Sequence, residues 1–584
     1  MNSPITKTNY PALYTLVTVF FFWGFFAAGN SIFIPFCKAF FDLDQFQSQL
    51  IDFSFYTAYY FGALLLFLAS AWKKRDVVSN WGYKRSIVYG LLFSTGGAIA
   101  MIWAVQISVY VALLVGLFIV ALGFSLQQIA ANPFAISLGD PKTGTSRVSL
   151  GGGINSLGTT IGPLLMAYAL YGSAKTLTDD QIQHLSLGSM TFLYGAVGGL
   201  FLLAALMFFF SKKIPDSRSA TEIKPPKKAM GLLVGMTILL VVIFIPVFGT
   251  YKSDAYLKVT TLQKQQEALI TAMTEEQNLE IKTANEATVN QLKHEIKETL
   301  TPIENKRIYL LGGALVVIVG SICFAYFTSQ KNKEGWGAMQ YPQLLLGMLA
   351  IFAYVGVEVG IGSNLGELLK LEEFGALQAV EIAPYISMYW GSLMIGRWAG
   401  AVSVFQLSKR NELLALITVP FVAYIVILVA NYFAGNEIEH LYYYSLCVAI
   451  QVVFSFWSKN KSTRTMVLFS LLGLLAMIVG LFSTGMVAIY AFLAGGLACS
   501  VLWPAIFNIS IMGLGKYTAQ GSSFLIMMIL GGGILPPIQG KLADIIGIHE
   551  SYVVNAVCFA YLLLFGMIAK KVLQKQNIAI DDID

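Results

Sequence analysis

The chain has 584 residues, of which 56% are hydrophobic and only 12% are charged, and its mean hydropathy is +0.68. Soluble domains carry about 25% charged residues, so this deficit excludes an ordinary soluble protein and indicates a surface that faces lipid. The net charge of +6 does not indicate nucleic-acid binding, because the basic residues fall in short clusters between apolar runs.

Apolar runs near the roughly 20 residues that cross a bilayer recur along the whole chain. In chain order they cover about 11–36, 49–71, 86–104, 108–135, 149–171, 187–211, 231–249, 308–327, 342–366, 384–405, 413–433, 441–457, 464–483, 486–513, 518–541 and 550–570. These sixteen runs predict an all-α polytopic membrane protein. The first is preceded by a short polar segment without a cleavage site, so we interpret it as a retained span and not as a signal peptide.

Lysine and arginine recur in every second connection between the runs. The basic clusters lie at 73–85, 142–147, 212–228, 331–333, 409–410, 459–464, 516 and 570–575. Basic connections are typical of the cytoplasmic side of a membrane. We therefore expect a multi-pass protein of the inner cell membrane with both termini in the cytoplasm.

The runs predict three parts. Residues 1–211 form an N-terminal six-helix bundle. Residues 212–340 hold a cytoplasmic linker, an extra membrane hairpin and a polar extracytoplasmic insert at 251–306. The insert leaves and re-enters one membrane face, so its loosely helical apolar spacing predicts a helical hairpin that turns near 275–287. It is either a solvated extension or a docking element for an extracytoplasmic partner. Residues 341–584 form a C-terminal bundle with a further hairpin at about 413–457.

Two acidic residues, Asp52 and Glu358, lie inside apolar runs. A carboxylate at membrane depth costs several kcal/mol unless it faces a polar cavity or a partner. Both are therefore candidates for ion coupling, and Glu358 is also a candidate for substrate contact. A structural hydrogen bond to the backbone near the neighbouring glycines remains open for Glu358, and an interfacial position remains open for Asp52.

Several short segments follow one another in a specific order over roughly 470 residues. They are Phe-Phe-Phe-Trp-Gly-Phe from Phe20, Gln-Leu-Ile-Asp-Phe-Ser-Phe-Tyr from Gln49, Ala-Ala-Asn-Pro-Phe from Ala130, Tyr-Val-Gly-Val-Glu from Tyr354, Tyr-Trp-Gly-Ser-Leu-Met-Ile-Gly-Arg from Tyr389, Trp-Pro-Ala-Ile-Phe from Trp503 and Gly-Gly-Gly-Ile-Leu-Pro-Pro from Gly531. Together they resemble the fucose permease and glucose/galactose transporter family of the major facilitator superfamily. The resemblance implies twelve core spans in two bundles, here with two additional hairpins, and sugar transport.

The chain departs from the fucose-type pattern at two positions. The resemblance implies carboxylates in the first and fourth spans, where this chain carries Ser31 and Gln128. Neither side chain carries a proton at physiological pH, and a glutamine at the second position is similar to the glucose/galactose branch. Asp52 and Glu358 are then the acids available to bind a proton or a sodium ion.

Amide side chains offer both the donors and the acceptors that sugar hydroxyls require. Gln128 and Asn132 share a helix face because they are four residues apart, whereas Gln127 lies about 100° away. Asn132 precedes Pro133 and alternatively satisfies backbone that the proline frees. The complete set of expected substrate-binding residues is Asn30, Gln127, Gln128, Asn132, Asn155, Glu358, Asn364, Trp503 and Asn508.

Two candidates with other side chains are Trp503 and Arg397. Trp503, beside Pro504, is a candidate to stack on the apolar face of a pyranose, with core packing as the alternative, and Asn508 one turn later would share that wall. Arg397 lies toward the cytoplasmic end of its run, so we expect it to act in gating or in pairing at a helix end.

The sequence thus predicts a secondary active transporter for a neutral hexose of the glucose, galactose or fucose type, working by alternating access. Proton coupling is preferred to sodium, and a uniporter or a transport-deficient sugar sensor or scaffold remains open. We expect the sugar, a co-transported cation and the bilayer as partners, and no cofactor, metal or nucleic acid. An enzyme is disfavoured because no nucleophile–base pair or metal-ligand spacing lies in the apolar runs. The specific sugar, the coupling ion and the oligomeric state do not follow from the sequence.

Overall fold

The computed structural model describes residues 7–41, 45–171, 187–215, 218, 224–275, 279–459 and 461–578. Within these ranges some side chains lie outside that description, namely those of 27–36, 38–40, 45–49, 52, 166–167, 169–171, 187, 189, 267, 271, 274–275, 279–284 and 379–380. Within the described ranges every regular element is a helix, and no strand occurs. The all-α prediction is therefore confirmed for this part of the chain.

Six long helices make up the N-terminal part. They are α1 (Tyr10–Phe40), α2 (Gln45–Lys73), α3 (Tyr83–Gln106), α4 (Tyr110–Ser137), α5 (Gly144–Tyr171) and α6 (Leu187–Phe210). Each coincides with a predicted run. Because a helix rises 1.5 Å per residue, each is long enough to cross about 30 Å of hydrocarbon.

Residues 231–324 form a compact unit separate from the rest of the chain. The helices that build it are α7 (Lys227–Thr250), α8 (Asp254–Glu275) and α9 (Leu279–Lys331). Val259 and Leu262 of α8 pack with Ile296 of α9. At the base of this hairpin the Arg307 guanidinium lies 3.4 Å from the ring centroid of Tyr251. The insert is therefore helical as predicted in its described part, and residues 276–278, where the turn was expected, lie outside the described residues.

One detail of this unit differs from the expectation of separate insert and membrane segments. Helix α9 runs for 53 residues through both, with Pro302 inside it. A proline removes one intrahelical hydrogen bond, and the carbonyl it frees, four residues earlier at Glu298, belongs to the polar insert. There water can satisfy that carbonyl, so the helix continues.

The remaining helices belong to the second half of the larger unit. They are α10 (Pro342–Leu369), α11 (Ala379–Ala401), α12 (Lys409–Phe433), α13 (Ser445–Ser458), α14 (Ser462–Leu481), α15 (Gly485–Cys499), α16 (Leu502–Ile511), α17 (Thr518–Met527), α18 (Gly531–Ile546) and α19 (Val553–Lys575). Among the described residues thirteen segments are long and apolar enough to span a membrane. With α1, α5 and α11, helices lie at all sixteen predicted runs.

Two of the late spans are interrupted near their middle. The span formed by α15 and α16 breaks at Ser500 and Val501, and the span formed by α17 and α18 passes through a 3-10 turn at Met528–Leu530. Pro504 lacks the N–H that would bond the carbonyl of Ser500. A discontinuous helix at membrane depth is stable only where other groups satisfy the freed backbone, so these breaks point toward a polar interior.

The two halves of the larger unit meet along a few helices. Helix α5 packs against α11 and α16, while α17 packs against α2 and α4. Within the first half, α1 and α5 approach closely because glycine is present. A Cβ on Gly24 of α1 would lie 1.9 Å from the Asn155 carbonyl oxygen of α5. This packing places the middle of α5 opposite the middle of α10 and α11, around the candidate site.

Candidate functional site

A cavity of about 250 Å³ lies between the two halves of the larger unit. Helices α1, α2, α4 and α5 line it from one half, and α10, α11 and the two broken spans line it from the other. Six residues predicted from the sequence line this one cavity, namely Gln128, Asn132, Asn155, Glu358, Arg397 and Trp503. The structure therefore brings together residues that are up to 375 positions apart in the sequence.

Glu358 is held by two partners on the cavity wall. Its Oε1 lies 3.1 Å from Nη2 of Arg397 and accepts a hydrogen bond of 3.0 Å from the hydroxyl of Tyr354. Tyr354 lies one turn earlier on the same helix, which is the spacing that brings two side chains together. The side chains of Arg397 and Glu358 are only 11% and 15% exposed. The carboxylate thus has the charged partner that its depth in the membrane requires, and these bonds differ from the predicted alternative of a backbone partner.

Arg397 joins both halves of the molecule. Its Nη1 donates a hydrogen bond of 2.7 Å to Ser156 of α5, in the first half. Its Nε donates to the carbonyl of Ser500 at 3.3 Å. That carbonyl is the one Pro504 frees by breaking the helix. A proline in the sequence therefore creates an acceptor inside the cavity wall, and Arg397 occupies it.

Amides line the opposite side of the cavity. Gln128 donates to the hydroxyl of Tyr59 at 3.2 Å, and Asn155 donates to the carbonyl of Phe20 at 3.0 Å. Asn132 donates to the Gln128 carbonyl at 3.0 Å, and its own Oδ1 is buried without a partner among the described residues. These amides retain acceptor and donor capacity for a hydroxylated ligand.

The carbonyl that Pro133 frees is satisfied by Ser522 and not by Asn132. The proline leaves the Ile129 carbonyl without its helical donor. Ser522 of α17 donates to that carbonyl at 2.8 Å. Asn132 is therefore not needed for this purpose, and the freed carbonyl becomes a contact between the two halves.

Aromatic side chains supply most of the remaining wall. Trp503 lines the cavity with its ring centroid 5.9 Å from that of Tyr354. The sequence interpretation did not assign a role to several other lining residues: Phe20, Trp23, Phe55, Tyr56, Tyr59, Ser156, Tyr354 and Trp390. Six of the eight lie in the family-like segments, namely Phe20, Trp23, Phe55, Tyr56, Tyr354 and Trp390. Their membership in those segments was the available signal, but aromatic residues are too common in apolar runs to stand out.

Other predicted residues lie elsewhere. Gln127 is fully buried, accepts from Trp23 Nε1 at 2.8 Å and donates to Ser94 at 3.1 Å, so it ties three helices together. Asn364 donates to the Gly360 carbonyl of its own helix at 2.8 Å. Neither is among the residues that line the cavity.

Asn508 does not share the wall of Trp503. It lies nearer the end of the bundle that carries the basic connections, where it donates to Thr145 at 2.9 Å and to Ser462 at 3.0 Å. The side chains of Asn30, Ser31 and Asp52 lie outside the described residues.

Comparison with known proteins gives matches over nearly the whole chain. No protein-family model matches. A glucose/galactose transporter of Brucella abortus is 27% identical over 567 residues, which cover 97% of this chain and 96% of the relative. An L-fucose-proton symporter of Escherichia coli is 22% identical and covers 94% of this chain and 91% of its own.

Solved structures give the same result for the fold. The major facilitator superfamily transporter FucP, in an outward conformation, aligns with a TM-score of 0.59 at 20% identity and covers 95% of this chain and 98% of its own. The similarity in sequence and in fold confirms the resemblance predicted from the short segments.

Proposed function

We propose that this polytopic membrane protein, a member of the major facilitator superfamily, takes up a neutral hexose by alternating access, coupled to a cation. The sugar is of the glucose, galactose or fucose type, and a proton is the preferred coupling ion. Both similar proteins named above are sugar transporters by name, which supports a transporter and not an enzyme.

The observation that carries this proposal is the Glu358–Arg397 pair in a cavity shared by both halves. Among the residues that the structure describes, these two are the only charged ones that line it, and their charges cancel. A formally neutral cavity with amides on one side and aromatic faces on the other fits an uncharged polyhydroxylated ring. A charged substrate would need an unbalanced counter-charge, which this cavity lacks among the described residues.

The same pair supports cation coupling. A proton on Glu358 would remove its attraction for Arg397, and Arg397 also holds Ser156 of the other half. Proton binding would thus change a contact between the halves, which is what coupling requires. Ser31 and Gln128 cannot take this role. A sodium ion could bind the same carboxylate, and uniport remains the alternative if Glu358 is purely structural.

The proposed orientation places the basic connections, both termini and the linker in the cytoplasm, within the inner membrane. The core domains are then residues 1–211 and 341–584, and the insert at 251–306 is expected on the extracytoplasmic side of the membrane. Hydrogen bonds between the halves lie at the basic end, for example between the Ser146 and Ser403 hydroxyls at 2.7 Å. The cavity is accordingly proposed to be sealed from the cytoplasm in this state.

The proposal is tested with Glu358→Gln in sealed proteoliposomes. We expect counterflow of labelled hexose to persist, because exchange needs no net proton movement. Concentrative uptake driven by a proton or a sodium gradient should fall at least tenfold. Glu367→Gln is the matched control, since Glu367 lies on the same helix but is exposed and paired with Lys370.

Two results would count against the proposal. Full concentrative uptake by Glu358→Gln would end the coupling role of that residue. Absence of exchange in the wild-type protein for glucose, galactose and fucose, with binding retained, would favour the sensor or scaffold alternative.

A further inference from the structure

A second, much smaller cavity lies at the basic end of the bundle. Its volume is about 20 Å³, and a cavity needs roughly 10–15 Å³ to hold one water-sized particle. Six hydroxyl side chains line it: Thr145, Ser146, Ser149, Ser455, Ser458 and Thr465. No charged residue is among its lining residues, so it is an oxygen-rich and formally neutral site.

The hydrogen bonds of these hydroxyls leave oxygen lone pairs for a ligand. Ser455 donates its proton to the Gln451 carbonyl at 3.0 Å and accepts from Gln451 Nε2 at 3.1 Å, which leaves one lone pair. Ser458 donates to the Ser455 carbonyl at 2.8 Å. A hydroxyl whose proton is already used can only accept from, or coordinate, a further group. Ser149 is 1% exposed, and its Oγ has no hydrogen-bond partner among the described residues. Ser149 is one of the residues that line the cavity.

The end of one helix adds negative potential to the same place. Helix α13 ends at Ser458, and residues of its last turn line the cavity. Helix α11 contributes Ala399 and Gly400 but continues as a 3-10 helix at Val402–Phe405, so it has no free end there. The last carbonyls of a helix lack intrahelical donors and carry the negative end of the helix dipole. Carbonyl and hydroxyl oxygens at helix C-termini are ligands for monovalent cations in membrane transporters. Divalent ions favour carboxylates, and softer metals favour imidazole or thiolate.

We propose that this cavity is a binding site for one monovalent cation of about the size of sodium. It is separate from the Glu358 site and does not depend on which substrate the chain carries. Ser149 belongs to α5 of the first half, whereas Ser455 and Thr465 belong to the second half. The site is therefore complete only while the halves are in contact at the basic end, and a bound cation stabilises that state over the open one.

The proposal also gives the extra hairpin at 413–457 a role. Its second helix, α13, supplies Ser455 and Ser458. Without this hairpin the site would lose two hydroxyls and its helix end.

The experiment measures binding of ²²Na⁺ to the purified full-length protein in detergent, without sugar, with lithium and potassium as competitors. We expect saturable binding to the wild-type protein and at least a tenfold loss of affinity in Ser149→Ala. Ser458→Ala gives a second variant in case the first does not fold. The matched control is Ser403→Ala, which removes the hydrogen bond to Ser146 between the halves but no residue of the cavity wall.

Each outcome decides the proposal. Loss of sodium binding in Ser149→Ala or Ser458→Ala, with binding kept in Ser403→Ala and in Glu358→Gln, supports it. No saturable binding to the wild-type protein, or binding unchanged in both cavity variants, overturns it and leaves a water site. Ser403→Ala leaves the other hydrogen bonds between the halves in place, so the proposal predicts a smaller loss there than in the cavity variants. An equal loss would show that the cavity hydroxyls act only through contact between the halves, and it would overturn the proposal. Loss in Glu358→Gln alone would assign the ion to the central cavity. Sugar counterflow is measured separately, so a failure here does not bear on hexose transport.

Discussion

At the scale of single residues, Arg397 has the most consequential set of contacts. It pairs with Glu358, donates to Tyr354 at 3.2 Å, and reaches Ser156 in the other half. Lysine could not replace it, because only the planar guanidinium presents several donors in fixed directions. This one side chain therefore balances the charge of the cavity and adds a contact between the halves.

We expect Arg397→Gln to destabilise the protein and to abolish exchange. Removing one partner of a fully buried ion pair costs about 3–5 kcal/mol, and partial solvation by the cavity should reduce this to about 1–3 kcal/mol. The double variant Glu358→Gln with Arg397→Gln removes the unpaired charge and should regain most of the stability without regaining transport. Thermal unfolding in detergent and hexose counterflow measure the two effects.

Arg410→Gln serves as the control for this prediction, because Arg410 is exposed at the start of α12. If the double variant were as unstable as Arg397→Gln alone, the ion pair would not be the cause of the loss.

At the scale of elements, the glycine triplet that begins α18 sets how closely this helix approaches α10. A Cβ on Gly531 would lie 2.0 Å from the Phe352 carbonyl oxygen, while a Cβ on Gly533 would meet nothing within 4 Å. Gly531 begins α18 beside the 3-10 turn that interrupts its span. The close approach of α18 to α10 thus supports the helix that carries Glu358.

We expect Gly531→Ala to destabilise the protein by about 1–3 kcal/mol, because an added methyl group cannot fit against a rigid backbone carbonyl. Gly533→Ala is the control two residues away and should be neutral or slightly stabilising, since alanine favours the helix. Thermal unfolding of both variants in detergent gives the comparison. Similar unfolding temperatures for the two variants would show that α18 can move away from α10 at little cost.

At the scale of the whole molecule, the unit at 231–324 is stabilised by contacts among its own residues. Lys258 pairs with Glu295 at 2.7 Å, and Arg307 stacks on Tyr251 and donates to Thr250. The central cavity is lined by residues of the larger unit alone. The insert is therefore not needed to form the cavity.

We expect replacement of residues 254–304 by a short glycine–serine linker to leave hexose counterflow within about twofold of the wild-type rate. The linker keeps α7 and the membrane part of α9, so the topology of the later spans is unchanged. Counterflow in proteoliposomes is normalised to the amount of inserted protein. Loss of exchange at normal insertion would instead indicate that the insert takes part in transport, and loss of function only in cells would favour an extracytoplasmic partner.

Sequence periodicity and composition determined the number, order and approximate bounds of the membrane-spanning segments. This is possible because a bilayer demands about 20 apolar residues per span and tolerates few charges. The depth cost of a carboxylate identified Glu358, and the short segments indicated the similarity to fucose and glucose/galactose transporters. Such signals depend on residue type and on neighbours in the chain, which a sequence displays directly.

Only the tertiary structure decided which polar residues meet. Gln127 and Gln128 are adjacent in sequence, but a helix turns about 100° per residue, so one ties helices together and the other lines the cavity. Arg397 was expected to act in gating or in pairing at a helix end, but its partners, Glu358 and Ser156, follow only from the packing of α11 against α10 and α5. Asn508 and Trp503 lie on one short helix, but they differ in depth and in face. Trp503 lines the central cavity, whereas Asn508 donates hydrogen bonds to Thr145 and Ser462 nearer the basic end. These outcomes depend on how helices pack, and packing is a property of residues far apart in the chain.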